Sequence, residues 1–515
     1  MTTVATQAGV ATQASVAAHS RAQSQAHNGE GRVAVVDIGS NTVRLVVYDV
    51  PSVLPIPMFN EKVQCQLGRH LGETGKLYPE GRDEALRSLA RFACLARAMG
   101  VERLDLVATA AVREAEDGPA FVDEVRRDLN LDINVISGEE EARLAAMGLL
   151  SGVPHADGLL GDIGGGSLDL VVLNNGEFGP HTTLPLGHLR LAELADGNMR
   201  RTAKAVDKHL SGMPWLSDIA DRTFYAVGGV WRAVARAFIE LTDYPLHVID
   251  GYTLPRDEAL KLIDRIMGMD MEALVALPSV SRRRTETLPH AALAMGRLLE
   301  AAKPRQLTFS GFGMREGRMI TGLPQDLRRK DPLISGCITI NDRTGRFAIR
   351  GDEILDWMAP LFPGETAAER RLRLAACLLS DIGWIEHPDY RGVHAFNRAL
   401  RLPFAGLTHT DRVVLGLSVW VRYNGDLNAE RVRPMAALLD ATRLERVNVV
   451  GLALRLAHTV SGSAPGLLPQ TRLAVEDGTL VLHLPETGQT VFRSAAVERR
   501  LKTLGRALGL NGKLG

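Results

Sequence analysis

The sequence predicts an α/β protein: two related α/β domains in series, then an all-α domain and a small α+β piece. Three observations carry this. A strand–Asp-x-Gly–strand pattern occurs twice, about 125 residues apart, which is one domain of chain. Around the two copies, short apolar runs alternate with stretches of helical period, as in α/β layer folds. From the Pro-, Arg-, Lys- and Asp-rich stretch at 323–332 onward the strand signals stop, and amphipathic helical patterns run to residue 460.

Composition bounds the function. At 515 residues the chain holds roughly three or four domains. Hydrophobic content of 45% and charged content of 23% are ordinary for a soluble globular protein. Lys+Arg and Asp+Glu balance at 60 each, so no global field points to DNA or a membrane surface. A polyanionic ligand would need a local basic channel. No apolar run reaches the roughly 18 residues of a membrane span. Cys65, Cys94, Cys337 and Cys377 are scattered without a CxxC, which reads as reduced thiols in the cytoplasm. Residues 1–30 lack the apolar core of a secretion signal and predict a disordered tail.

Taken in order, 31–50 reads as a hairpin with Asp37-Ile38-Gly39-Ser40-Asn41-Thr42 at its turn, 51–57 as a loop, and 62–67 as a third strand. Helical spacing over 79–99 ends at Gly100, a C′ glycine. A strand at 104–108 leads into Thr109-Ala110-Ala111-Val112-Arg113, followed by a helix at 119–129 and a strand at 133–136. Ser137 and Glu140 then have capping-box spacing, and Glu139 suits the helix dipole. Glu141, one residue further, has no such structural duty and is the candidate for chemistry; a solvated acidic turn explains the motif equally well.

The second hairpin, 159–174, turns on Asp162-Ile163-Gly164-Gly165-Gly166-Ser167. Serial glycines let backbone N–H groups converge on an anion, and Asp37 and Asp162 sit where each first strand ends, placed to hold a cation beside it. Helices are predicted over 187–214, then a strand at 223–227 runs into Gly228-Gly229 and a helix at 230–241. That third turn reads equally as an anion site at a helix N-terminus or as a plain βα turn. Further helices at 257–268 and 289–302 precede a strand and glycine turn at 306–313 and a helix from Met314. The basic clusters Arg282-Arg283-Arg284, Arg328-Arg329-Lys330, Arg370-Arg371 and Arg499-Arg500 read as solvated faces. Helical segments follow at 353–361, 369–379, 391–400, 410–422 and twice within 431–460. Glu476-Asp477-Gly478 between apolar runs is a hairpin signal, closed by a helix at 494–508. The expected domains are 31–145, 146–325, 326–460 and 461–515.

The two Asp-x-Gly motifs, Thr109-Ala110-Ala111-Val112-Arg113, Ser137-Gly138-Glu139-Glu140-Glu141 and Ser310-Gly311-Phe312-Gly313-Met314-Arg315-Glu316-Gly317 together resemble the exopolyphosphatase / guanosine pentaphosphate phosphatase family. The resemblance implies two actin-like (ribonuclease H-like) domains around a cleft, then an HD-like helical domain and a small terminal domain. It implies Glu141 as the general base and Arg113 as a clamp on the scissile phosphate. Gly39, Ser40, Asn41, Thr42, Gly164, Gly165, Gly166, Ser167, Gly228 and Gly229 would hold phosphate oxygens, and Asp162 and Asp37 would hold Mg²⁺, with room for a monovalent cation such as K⁺. The substrate would be inorganic polyphosphate or (p)ppGpp, with no DNA partner, and the chain a homodimer. Three positions depart from the family pattern: Asp169 replaces a glutamate, Val230 a hydroxyl residue, and Ser380-Asp381 lacks the HD histidine. The helical domain is therefore expected to bind or dimerise and not to catalyse, with His387, His394 and His409 as surface or packing residues. An ATP-using kinase of the same superfold and a non-hydrolysing sensor are the competing readings.

Overall fold

The computed structural model describes residues 31–49, 56–195, 198–344 and 351–515; the expected tail at 1–30 and most of the loop at 51–57 lie outside these residues. Backbone contacts divide the chain after Val135 into two units.

The first unit runs β1 (Arg32–Ile38), β2 (Thr42–Tyr48), β3 (Pro57–Gln64), α1 (Pro79–Ala98), β4 (Val101–Ala108), α2 (Ala110–Glu114), α3 (Gly118–Leu129) and β5 (Ile133–Val135). The sheet order is β3-β2-β1-β4-β5, with β1 antiparallel to β2 and parallel to β4. β1 is a continuous apolar run because it is central and buried on both faces. α1 carries Pro79 in its first turn and buries Ala85, Leu89 and Phe92 against Phe121 and the sheet. β3 lies earlier than the expected 62–67, because Gln66 adopts left-handed backbone (φ 57°) and ends the extended chain.

The second unit opens with α4 (Gly138–Gly152), then β6 (Gly158–Ile163), β7 (Leu168–Asn174), β8 (Glu177–Leu184), α5 (His188–Ala195), α6 (Met199–Leu210), β9 (Thr223–Val227) and α7 (Trp231–Leu241). It continues through β10 (Thr253–Pro255), α8 (Arg256–Met267), α9 (Arg282–Thr285), α10 (Leu288–Ala302), β11 (Gln306–Phe309) and α11 (Met314–Thr321). Its sheet order is β10-β11-β9-β6-β7-β8. Read from β8, the first five strands repeat the order and directions of the first unit's sheet, so the duplicated motif reports a duplicated fold. β8 and β10 were not legible: β8 is polar and exposed along most of its length, and β10 has three residues, one of them proline. Trp231 is fully buried, edge-on to Phe224, in a core of α7, α10 and the sheet.

Beyond Thr321 the stretch expected to be a linker contains a one-turn helix, Gln325–Arg328. Five longer helices then follow: α12 (Pro332–Thr344), α13 (Gly351–Trp357), α14 (Ala367–Leu379), α15 (Arg391–Arg401) and α16 (His409–Arg422). α17 (Ala441–Ser461) packs on α16, with Phe396, Leu400, Val413, Trp420 and Val447 at the core. α14 and α16 each begin with a complete capping box. The last residues form β12 (Arg472–Glu476), β13 (Thr479–His483), α18 (Ala495–Ala507) and β14 (Asn511–Leu514). Asp477 and Gly478 both take positive φ, the backbone a two-residue hairpin turn requires. β14, which pairs in parallel with β13, escaped sequence reading because it is short and polar.

Candidate active site

In the first unit, β1 brings a half-buried Asp37 to the sheet's C-terminal edge. The following turn closes with the Gly39 N–H donating to the Thr42 carbonyl at 3.0 Å. The Ser40 carbonyl accepts from Gly68 (2.8 Å), and the Asn41 carbonyl from Cys65 and Gln66 (3.2 and 3.0 Å). A trans peptide is planar, its N–H opposite its C=O, so the amides of Asn41 and Thr42 face away from those partners. Ser40 is itself buried, its Cβ against Gly68. The Thr109 N–H donates to the Ile38 carbonyl (3.1 Å), which starts α2 beside the end of β1 and sets a half-buried Arg113 in its last turn.

The second unit repeats the device. Asp162 ends β6, and the Gly164 N–H closes the turn onto the Ser167 carbonyl at 2.9 Å. The carbonyls of Gly164 and Gly165 accept from the amides of His188 and Leu189, both at 3.1 Å. The amides of Gly165 and Gly166 therefore face the other way, while Ser167 is buried. Gly228, at φ 104°, lies flat against Asp162; a Cβ there would stand 2.9 Å from Oδ1 and 2.6 Å from the Ile163 carbonyl. Only glycine admits that approach. Gly313 flanks the other carboxylate oxygen, its Cβ position 3.9 Å from Oδ2. Asp162 thus sits between the β9–α7 and β11–α11 turns.

Glu141 stands in the first turn of α4, half-buried, with its N–H on the Ser137 carbonyl (3.0 Å). Ser137 caps the helix, accepting the Glu140 N–H at 3.1 Å, and Glu139 is exposed near His181. α4 is held by its crossing with α11, where backbones touch through glycine. A Cβ on Gly148 would lie 2.1 Å from the Gly313 carbonyl oxygen, and one on Gly317 would lie 1.8 Å from that of Leu144. Asp169 is buried and accepts the Thr183 hydroxyl at 2.6 Å; Thr183 in turn touches the first residue of α4 at Gly138.

Of two cations at this site, Arg232 was not singled out in the sequence and Arg284 was read as part of a solvated face. Arg232, in the first turn of α7, donates to the Gly311 carbonyl (2.9 Å). Burial and Arg315 lower its pKa, while Glu316 and Asp162 oppose the shift. Arg284 corrects the reading of 282–284 as a solvated face: Arg282 is exposed, but the Arg284 guanidinium fills the space a Gly229 side chain would occupy. Burial, then Arg232 and Arg236, push its pKa down to about 10. It stays charged at neutral pH, and an anion beside it would relieve the repulsion.

Residues 46–326 match the profile of the Ppx/GppA phosphatase family, more than half of the chain. The chain belongs to that family. A second profile, the exopolyphosphatase C-terminal region, matches residues 345–514 of this Ppx/GppA protein. A guanosine-5'-triphosphate,3'-diphosphate pyrophosphatase of Vibrio cholerae is 26% identical over 476 residues, 88% of this chain and 91% of its own. Exopolyphosphatase 1 of Mycobacterium tuberculosis is 34% identical over 163 residues, 31% of this chain and 47% of its own. Among solved structures, an exopolyphosphatase from Cytophaga hutchinsonii superposes with a TM-score of 0.52 at 23% identity. It covers 56% of this chain and 97% of that one, and supports the fold.

In the helical region the Ser380-Asp381 pair is occupied structurally. The Ser380 hydroxyl meets His458 Nε2 at 2.8 Å, and Asp381 accepts from Arg422 at 2.8 Å. Among the described residues, no group of three or more His, Cys, Asp or Glu is arranged to hold a metal ion. His387 and His394 are exposed; His409 is buried against Tyr244.

Proposed function

We propose that this phosphatase releases orthophosphate from the ends of inorganic polyphosphate. The observation that carries the reading is the pair of Asp-x-Gly turns, each with two peptide amides turned away from the partners that hold the turn's carbonyls, beside a strand-end carboxylate. In the second unit Arg232 and Arg284 add positive charge next to the Gly228-Gly229 turn. Phosphoryl transfer needs positioning and charge neutralisation more than covalent help, and these groups supply both.

Glu141 accepts a proton from a water whose oxygen attacks the terminal phosphorus. The bridging P–O bond then breaks, and the shortened chain leaves with the electron pair. The Asn41, Thr42, Gly165 and Gly166 amides hold phosphate oxygens, and Arg113 is assigned to the scissile group. Gly39 and Gly164 serve by closing their turns, since their own amides are already bonded. Asp162 and Asp37 offer the hard oxygen donors that Mg²⁺ accepts from one or two carboxylates alongside substrate phosphates. A Mg²⁺ ion held by Asp162, or in the first unit by Asp37, would neutralise phosphate charge. A K⁺ ion, a homodimer and a cytoplasmic location complete the proposal. Among the described residues no helix is long and apolar enough to cross a membrane.

A second reading, hydrolysis of pppGpp at the same site, is favoured by the pyrophosphatase relative that spans 88% of the chain. Phosphate release from polyphosphate and from pppGpp, measured side by side, separates them; negligible polyphosphate cleavage refutes the first. Glu141→Gln is expected to lower turnover by about 10²–10⁴ while polyphosphate binding persists. Unchanged hydrolysis removes Glu141 from its role.

A further inference from the structure

The helical region reaches the phosphatase site through a continuous set of bonds inside the second unit. Arg412, on α16, is 1% exposed. Its guanidinium donates to the Leu402 carbonyl (2.8 Å) and the Phe404 carbonyl (2.7 Å), which fixes it within the helical region. The same Nη2 meets Asp250 Oδ2 at 3.4 Å. Asp250 lies in the connection before β10, and its other oxygen, Oδ1, accepts the Gly311 N–H at 3.0 Å. Gly311 is thereby gripped on both sides, because its carbonyl accepts Arg232 Nη1 at 2.9 Å. Two residues on, Gly313 flanks Asp162 and caps α11, its N–H on Glu316 at 2.9 Å.

We propose that Arg412 and Asp250 are positioning residues of the phosphatase site: the helical region sets the 310–313 turn and, through it, Arg232 beside Asp162. This rests on the functional reading above and assigns the helical region a part in turnover. Asp250 is half-buried, and desolvation raises its carboxyl pKa, although Arg412 and the Gly311 amide act against the shift. His409, one turn before Arg412 on the same helix, has its pKa lowered to about 4, so it adds no third charge to the junction at neutral pH. A carboxylate held by a buried guanidinium on one oxygen can orient a backbone N–H with the other, and charge-assisted bonds are the stronger kind. A misplaced turn near reacting atoms costs far more in rate than in stability.

The test is a double-mutant cycle on the full chain, with phosphate release from polyphosphate as the readout and thermal melting as the fold control. Arg412→Met is expected to lower kcat about tenfold or more, with KM within about twofold. Arg232→Met is expected to lower kcat by a similar or larger factor. The combined variant should be no slower than Arg232→Met, because both act through one turn. Asp250→Asn is isosteric and keeps an oxygen for the Gly311 amide, so it covers the case in which Arg412→Met does not fold; its kcat loss should be smaller and should also vanish in the Arg232→Met background. Multiplying losses, or wild-type kcat in Arg412→Met or Asp250→Asn, would overturn the positioning role. Wild-type kcat in Arg232→Met overturns it as well. Failure of the functional reading shows separately, as unchanged hydrolysis in Glu141→Gln.

Discussion

One methyl group at Gly317 tests how Glu141 is held. A Cβ there would stand 1.8 Å from the Leu144 carbonyl oxygen and 3.0 Å from the Gly148 nitrogen. Carbon–oxygen contacts settle near ~3.3 Å, so α11 and α4 must part locally by about 1.5 Å. Overpacking costs about 1–3 kcal/mol, and the upper end applies because both opposing atoms are backbone in helices that cannot rotate away. For a domain of this size that lowers Tm by about 6–12 °C. Leu144 is one turn after Glu141 on α4, so the displacement reaches the carboxylate, and a shift of about 1 Å at a reacting group costs on the order of 10² in rate. Gly317→Ala should therefore lose both melting temperature and polyphosphate hydrolysis. Gly72→Ala is the control: nothing lies within 4 Å of its Cβ position, and a gain of about 0.4–1 kcal/mol is expected there. Circular dichroism melts and initial rates of phosphate release decide the matter. A Gly317→Ala protein that melts within about 2 °C of wild type and turns over at the wild-type rate refutes the crossing as the support of Glu141.

Arg284→Met should raise KM for polyphosphate by about ten- to a hundredfold, the worth of one charge-assisted contact, and should raise Tm by removing like-charge repulsion; unchanged KM refutes the anion role. Asp162→Asn should cut phosphate release by about 10² or more at saturating substrate and shift its Mg²⁺ dependence to higher concentration; an unaltered Mg²⁺ titration rules the carboxylate out as an anchor. His409 has its pKa lowered to about 4 from the ordinary 6.5, held down first by burial and then by Arg412. The unfolded chain takes up the proton first, so stability is complete above about pH 6.5 and falls as pH drops toward 4, by roughly 3 kcal/mol. Tm measured across this window should lose much of its slope in His409→Gln; an identical slope refutes the assignment.

Much of the candidate site's geometry was legible because it is local. Asp37 and Asp162 fall where continuous apolar runs end, and Ser137 caps α4 through a bond to a residue three along. Gly100 and Asp477-Gly478 take positive φ where helix and hairpin signals place them. Asp169 was harder to read. Its departure from the family's glutamate was visible, but its bond to Thr183 depends on β8, a strand too polar to announce itself. Arg284 was misread for a related reason. A run of three arginines has the composition of a solvated face, and only the approach of α9 to the Gly228-Gly229 turn buries the third.

The sequence by itself determined the duplicated strand–turn–strand units, the carboxylates at their ends, the capped helix that bears Glu141 and the change to helices past residue 330. These follow from periodicity and backbone preference, which act over a few residues. Tertiary structure alone decided which way the turn peptides face, because that depends on carbonyls captured by Gly68, Cys65, Gln66, His188 and Leu189 from elsewhere in the chain. It also decided the crossing of α4 on α11 and the link from Arg412 through Asp250 to Arg232. Contacts of that kind join residues up to 162 positions apart, and their energy comes from burial and shape that no local pattern encodes.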